Sequence, residues 1–171
     1  MRRFILFFVT LFAGVALSPV SADNDNQYSI IGASFTYHVY PPGKHEEYFS
    51  NRLIAVARYT DILPYVDRLM LGTLKNSSGN RCLMIGVGRD WKKLNEKAKV
   101  IGIYSYVGEF FADTFDECSD EGIYKDMDSV VGIGFAPYIY HGVNYNLIQQ
   151  LSINGGLIFP GVVSFALEYS F

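Results

Sequence analysis

Three residue types that together can transfer an acyl group occur in two short segments, His38 and Lys75-Asn76-Ser77. A serine hydroxyl becomes a nucleophile when an imidazole takes its proton, and a nearby amide can hold the oxyanion or orient the ring. Asn51 supplies a second amide between the two segments. Each residue also has a plainer reading. Asn76-Ser77-Ser78-Gly79 is good turn chemistry, and His38 suits a histidine hydrogen-bonded inside a scaffold. The segments make a site only if a fold brings them together. No Cys/His metal spacing, phosphate loop or internal repeat occurs, so neither a metal nor a cofactor is expected.

The elements that must position these residues begin after a leader. Arg2 and Arg3 precede an apolar run from Phe4 to Leu17, and Val20-Ser21-Ala22 has the small-x-small form of a cleavage site. Residues 1–22 therefore read as a signal peptide and 23–171 as the mature domain. Removing both arginines with the leader takes the net charge from −3 to −5. With no basic patch, nucleic acid is not an expected partner. The chain is 50% apolar and contains 13 Tyr and 13 Phe. Aromatics at this level suit strands and membrane interfaces.

At the C-terminus, Val163, Phe165, Leu167, Tyr169 and Phe171 alternate with Ser164, Ala166, Glu168 and Ser170. In a membrane barrel the apolar set faces lipid and the small or polar set lines the lumen. A terminal strand ending on Phe171 resembles the signal read by the barrel-assembly machinery of outer membranes. Further segments of suitable length lie at 30–40, 51–60, 67–77, 79–91, 99–111, 129–140, 143–154 and 161–171. The expected fold is all-β, an eight-stranded antiparallel up-and-down transmembrane barrel, monomeric and placed in a bacterial outer membrane among phospholipid and lipopolysaccharide.

An even strand count puts both chain ends in the periplasm. The outer connections are then 41–50, Ser77-Ser78-Gly79, 112–128 and 155–160, and the inner ones 61–66, 92–98 and His141-Gly142. The longest outer loop carries Asp113, Asp116, Glu117, Asp120, Glu121, Asp126 and Asp128, and reads as a solvated loop in preference to a cation site. His45 and His141 read as loop residues. Lys92, Lys93, Lys97 and Lys99 gather at the periplasmic turn. Cys82 and Cys118 both fall near the outer rim of an oxidising compartment and read as a disulfide, the alternative being two thiols.

The same topology puts His38, Asn51 and Lys75 to Ser77 at one outer rim. In that setting the chain resembles the lipid A palmitoyltransferase family of small barrels, through Tyr37-His38-Val39-Tyr40 and Lys75-Asn76-Ser77. The resemblance implies transfer of a palmitoyl chain from a phospholipid to lipid A, with the chain held in a hydrocarbon pocket inside the barrel, His38 and Ser77 being catalytic. The sequence departs from the family where Asn76 replaces an acid, in the short stretch between Asp23 and Tyr28, and in having Trp91 as its one tryptophan. Gly32, Gly86, Gly88, Gly132, Gly134, Ala136 and Ala166 fall on the inward parity. They either leave room for such a chain, with Gly132 and Gly134 as binding positions, or relieve crowding in a curved sheet. The other functional reading is a barrel without catalysis, whose outer loops serve adhesion, surface shielding or phage exclusion.

Overall fold

The computed structural model describes residues 27–39, 48–61, 63–109 and 113–171. The leader, Tyr40, most of the 41–50 connection with His45, and Ala112 lie outside the described residues.

The strands are β1 (Tyr28–His38), β2 (Tyr48–Phe49), β3 (Ile54–Tyr59), β4 (Arg68–Lys75), β5 (Arg81–Lys93), β6 (Ala98–Gly108), β7 (Phe135–Asn146), β8 (Leu151–Ile158) and β9 (Val162–Ser170). Each long strand pairs antiparallel with the next, and β9 returns to pair with β1. β2 and β3 share one edge of β1, at Thr36–Tyr37 and Tyr28–Ile31, so together they form one stave. The result is a closed barrel of eight staves, which leaves no open edge.

Side-chain placement is inverted relative to a soluble barrel. Ile30, Phe35, Ile54, Val56, Leu157, Phe165 and Leu167 face outward, while Ser29, Thr36, Asn144, Ser152, Asn154 and Glu168 are buried inside. This is the pattern expected where the outer solvent is hydrocarbon. Inside the lumen, polar and charged groups gather near the chain termini beside an apolar cluster that includes Ile31, Ala57, Met70, Ile101, Ile103 and Tyr140, with Ile31 paired to Glu168 and Ala57 to Ser29. His38, Asn51 and Asn76 lie at the far rim.

Two interruptions change the simple alternation. Ala33 has a left-handed backbone (φ 49°), and the β1–β9 register slips between Gly32 and Phe35. Below that bulge Ile31, paired with Glu168, is the inward residue. Gly32 is therefore on the outward parity, contrary to the alternation read straight through the strand. Asn51-Arg52-Leu53 interrupts the second stave, with Arg52 also left-handed (φ 45°).

The largest departure lies at 129–140. Asp113–Ser119 forms a 3-10 helix and Gly122–Val131 an α-helix, α1, so the strand starts only at Phe135. α1 has an apolar stripe of Ile123, Tyr124, Met127, Val130 and Val131 at helical spacing, and Tyr124 packs against the barrel core. Burial pushes the Tyr124 hydroxyl up to about 12. The later start moves the expected His141-Gly142 turn to 147–150 and shortens the last outer connection to 159–161. Gly132 is the left-handed cap of α1, its N–H bonding the Asp128 carbonyl. Gly134 lies at the base of the loop, held by both main-chain and side-chain bonds to Glu109. Neither glycine lines the lumen.

Candidate functional site

The outer rim is built from the end of β1, the turn joining β4 to β5, and the loop after β6. His38 ends β1 pointing inward and is 8% exposed. Ser77 sits exposed in the β4–β5 turn, with its Oγ 3.4 Å from His38 Nε2. The two residues are 39 apart in sequence, and the pairing of β1 with β3 and of β3 with β4 in the curved sheet brings them together. The contact is longer than an ideal hydrogen bond, as is common before a substrate tightens a catalytic pair. Either partner can donate, depending on the imidazole tautomer.

Asn76 has a different task from the amide expected beside the imidazole. Its Oδ1 accepts from the backbone N–H of Ser78 at 3.0 Å and of Asn80 at 2.9 Å, which fixes the turn that presents Ser77. Its Nδ2 donates to the Cys118 carbonyl at 3.3 Å, tying that turn to the outer loop. Asn51 is buried below the rim. Its Oδ1 accepts from Ser34 Oγ and from the Leu53 N–H, and its carbonyl accepts from the Lys75 N–H at 2.6 Å. Lys75 alternates with inward Leu74 and Asn76, which puts its side chain on the outward face. The structure thus brings His38 and Ser77 together, with Asn76 holding the Ser77 turn, whereas Asn51 bonds to Ser34 and Leu53 and Lys75 points outward.

Cys82 and Cys118 are joined, with Cα atoms 5.1 Å apart and both residues fully buried. This bond clamps the 3-10 helix onto the top of β5, beside the turn bearing Ser77. Ser119 Oγ donates to Glu109 Oε2 at 2.7 Å, closing the base of the same loop. Of the loop acids, Asp116, Glu117, Asp120, Glu121, Asp126 and Asp128 are exposed.

Beneath the rim the lumen is packed. A Cβ at Gly88 would fall 2.5 Å from Arg68 Cγ, and one at Gly86 would fall 2.2 Å from Ser105 Cβ. These glycines admit their neighbours' side chains, so of the two readings of the small inward residues, relief of crowding fits both positions.

No protein-family model matches the chain, and no curated protein does. Among solved structures it is similar to one described as "De novo design of transmembrane beta-barrels". Identity is 12% and the TM-score 0.54, with 87% of this chain and 98% of that one covered. The fold is that of a transmembrane β-barrel.

Two features of the barrel escaped the sequence reading. The first is a plug at the termini end of the lumen. Glu168 accepts from Ser29 at 2.7 Å, Arg68 at 3.1 Å, Asn154 at 2.9 Å and Asn144 at 3.2 Å. Arg68 also pairs with Asp90 at 3.0 Å, and Asp90 with Lys99 at 2.5 Å. Lys99 therefore belongs to the plug and not to the turn between β5 and β6. The second concerns His141, which lies in the middle of β7 on the outward face, its Nε2 3.1 Å from the Tyr104 hydroxyl. An inward acid in a spanning strand needs a partner, and Glu168 was the signal for the plug.

Proposed function

We propose that this is a monomeric barrel of the bacterial outer membrane that modifies a membrane lipid at its outer rim, with Ser77 as nucleophile and His38 as its base. The observation that carries this reading is the 3.4 Å approach of His38 Nε2 to Ser77 Oγ on a turn held in place by Asn76. The signal peptide, the outward apolar faces and the terminal strand for the assembly machinery support the location.

In the proposed reaction Ser77 Oγ attacks the ester carbonyl of a phospholipid while His38 takes the hydroxyl proton. Collapse of the tetrahedral intermediate expels the lipid alcohol, which receives that proton, and leaves an acyl-serine. A hydroxyl of lipid A, the acceptor implied by the family resemblance, then takes the acyl group with His38 again as base. Because Arg68 and Ser105 fill the space at Gly88 and Gly86, the lumen at those positions offers no room for the donor's chain.

The packed lumen and the disulfide-tethered acidic loop favour a second reading, a barrel without catalysis that presents this loop to a partner at the cell surface. Mass spectrometry of lipid A from expressing cells separates the two. The enzyme reading expects added acyl mass that disappears in Ser77→Ala and His38→Ala. Unaltered lipid A in cells carrying the folded wild-type barrel rejects it.

A further inference from the structure

On the outward wall near the termini end, four side chains with hydrogen-bonding or cationic groups form a cluster that no part of the proposed reaction uses. Arg89, Gly102 and His141 are neighbours across β5, β6 and β7. Gly102 is buried beneath two of these side chains, since a Cβ there would fall 2.6 Å from Trp91 Nε1 and 2.9 Å from the Tyr104 hydroxyl. Its lack of a side chain lets the indole N–H and the phenol converge over the β6 backbone. Trp91 stacks with His141, ring centroids 6.5 Å apart, and His141 meets Tyr104 edge-on at 5.4 Å.

Arg89 supplies the charge. Its guanidinium lies 5.1 Å from the Tyr65 ring and 5.6 Å from Trp91, and its Nε is buried with no hydrogen-bond partner. No acid pairs with it among the described residues; Asp90, next in sequence, turns inward to Arg68 and Lys99. Immediately beyond, exposed Lys92, Lys93 and Lys97 face a single acid, Glu96, on the β5–β6 turn. Cationic and N–H donors thus cluster beside half-exposed aromatics at the height where the apolar wall meets water. A phosphodiester carried on acyl chains satisfies both chemistries together.

We infer that this cluster, with Arg89 as its charge, is a surface binding site for the headgroup of an anionic phospholipid in the leaflet nearest the chain termini. The inference rests on the membrane-spanning reading above and is independent of catalysis at the rim. Trp91, the only tryptophan of the chain, reports on the site directly.

The protein is reconstituted in vesicles of brominated phosphatidylcholine, which quenches nearby tryptophan, and unbrominated phosphatidylglycerol is added in steps. Trp91 emission should recover beyond the added mole fraction, corresponding to about a fivefold preference for the anionic lipid, the size expected of one arginine at a membrane surface. Arg89→Gln should bring the preference to about one, and Arg89→Lys should restore part of it. The Lys92→Gln/Lys97→Gln pair should keep most of it. Recovery in simple proportion to mole fraction overturns the site while leaving the membrane reading intact. Loss of preference in the lysine pair but not in Arg89→Gln also overturns it, since the attraction would then be diffuse. Absence of quenching by any brominated lipid overturns both the site and the membrane reading.

Discussion

The two ends of the lumen treat polar groups in opposite ways. Near the termini, Glu168 gathers four donors and Arg68 bridges two acids, Glu168 buried and Asp90 partly exposed. At the outer rim, His38 and Ser77 meet at 3.4 Å with the hydroxyl exposed. The first arrangement uses nearly all of its bonding groups, Arg68 Nε being the exception, and ties distant strands together. The second is loose and open to the surface, which is what a nucleophile and its base require. Polar side chains inside one barrel thus divide into a structural set and a candidate chemical set by how fully their bonds are used.

Breaking the termini end should have the largest effect. Glu168→Ala leaves the buried Arg68 with Asp90 as its one acid partner and takes the acceptor from Ser29, Asn144 and Asn154; it should lower stability by about 3–5 kcal/mol, read from the urea midpoint of the folded barrel. Replacing both partners with apolar residues should recover much of that loss. Removing the disulfide with Cys82→Ser/Cys118→Ser should cost about 3 kcal/mol by the same measurement. It should also free the loop after β6, seen as faster amide exchange across residues 113–131.

Asn76→Ala should cost about 1–2 kcal/mol, because two backbone N–H groups and the Cys118 carbonyl lose their partner. A loss of lipid modification in that variant would come from displacement of Ser77, and a compact replacement such as Asp should preserve the turn. The smallest stability effect belongs to Ser77→Ala, within about 0.5 kcal/mol of wild type. The comparison sharpens if that variant, the least damaging to the barrel, is the one that abolishes activity.

The legible parts of this molecule are those written in a two-residue period. Val163 to Phe171 shows which face meets lipid, and the parity carried backwards put His38 and Ser77 at one rim and Cys82 near Cys118. Strand ends were readable only where polar turns interrupt the period. At 130–135 the sequence runs Val-Val-Gly-Ile-Gly-Phe, which continues a strand pattern although Val130 and Val131 complete the apolar stripe of α1. The strand therefore read as starting six residues early, and the next turn was misplaced onto His141-Gly142. The bulge at Ala33 leaves no trace, since alanine has no preference for a left-handed backbone. Half of the plug was written in the sequence, since Glu168 on the inward parity calls for a partner, but Arg68 lies 100 residues away and meets it through the β9–β1 pairing.

The central claim is that the rim pair acts on lipid, and the most direct measurement is the mass of lipid A from cells expressing the wild type, Ser77→Ala and His38→Ala at equal barrel levels. The account predicts an added acyl mass with the wild type and none with either variant. An added mass that persists in Ser77→Ala, or lipid A unchanged by the wild type, would contradict it.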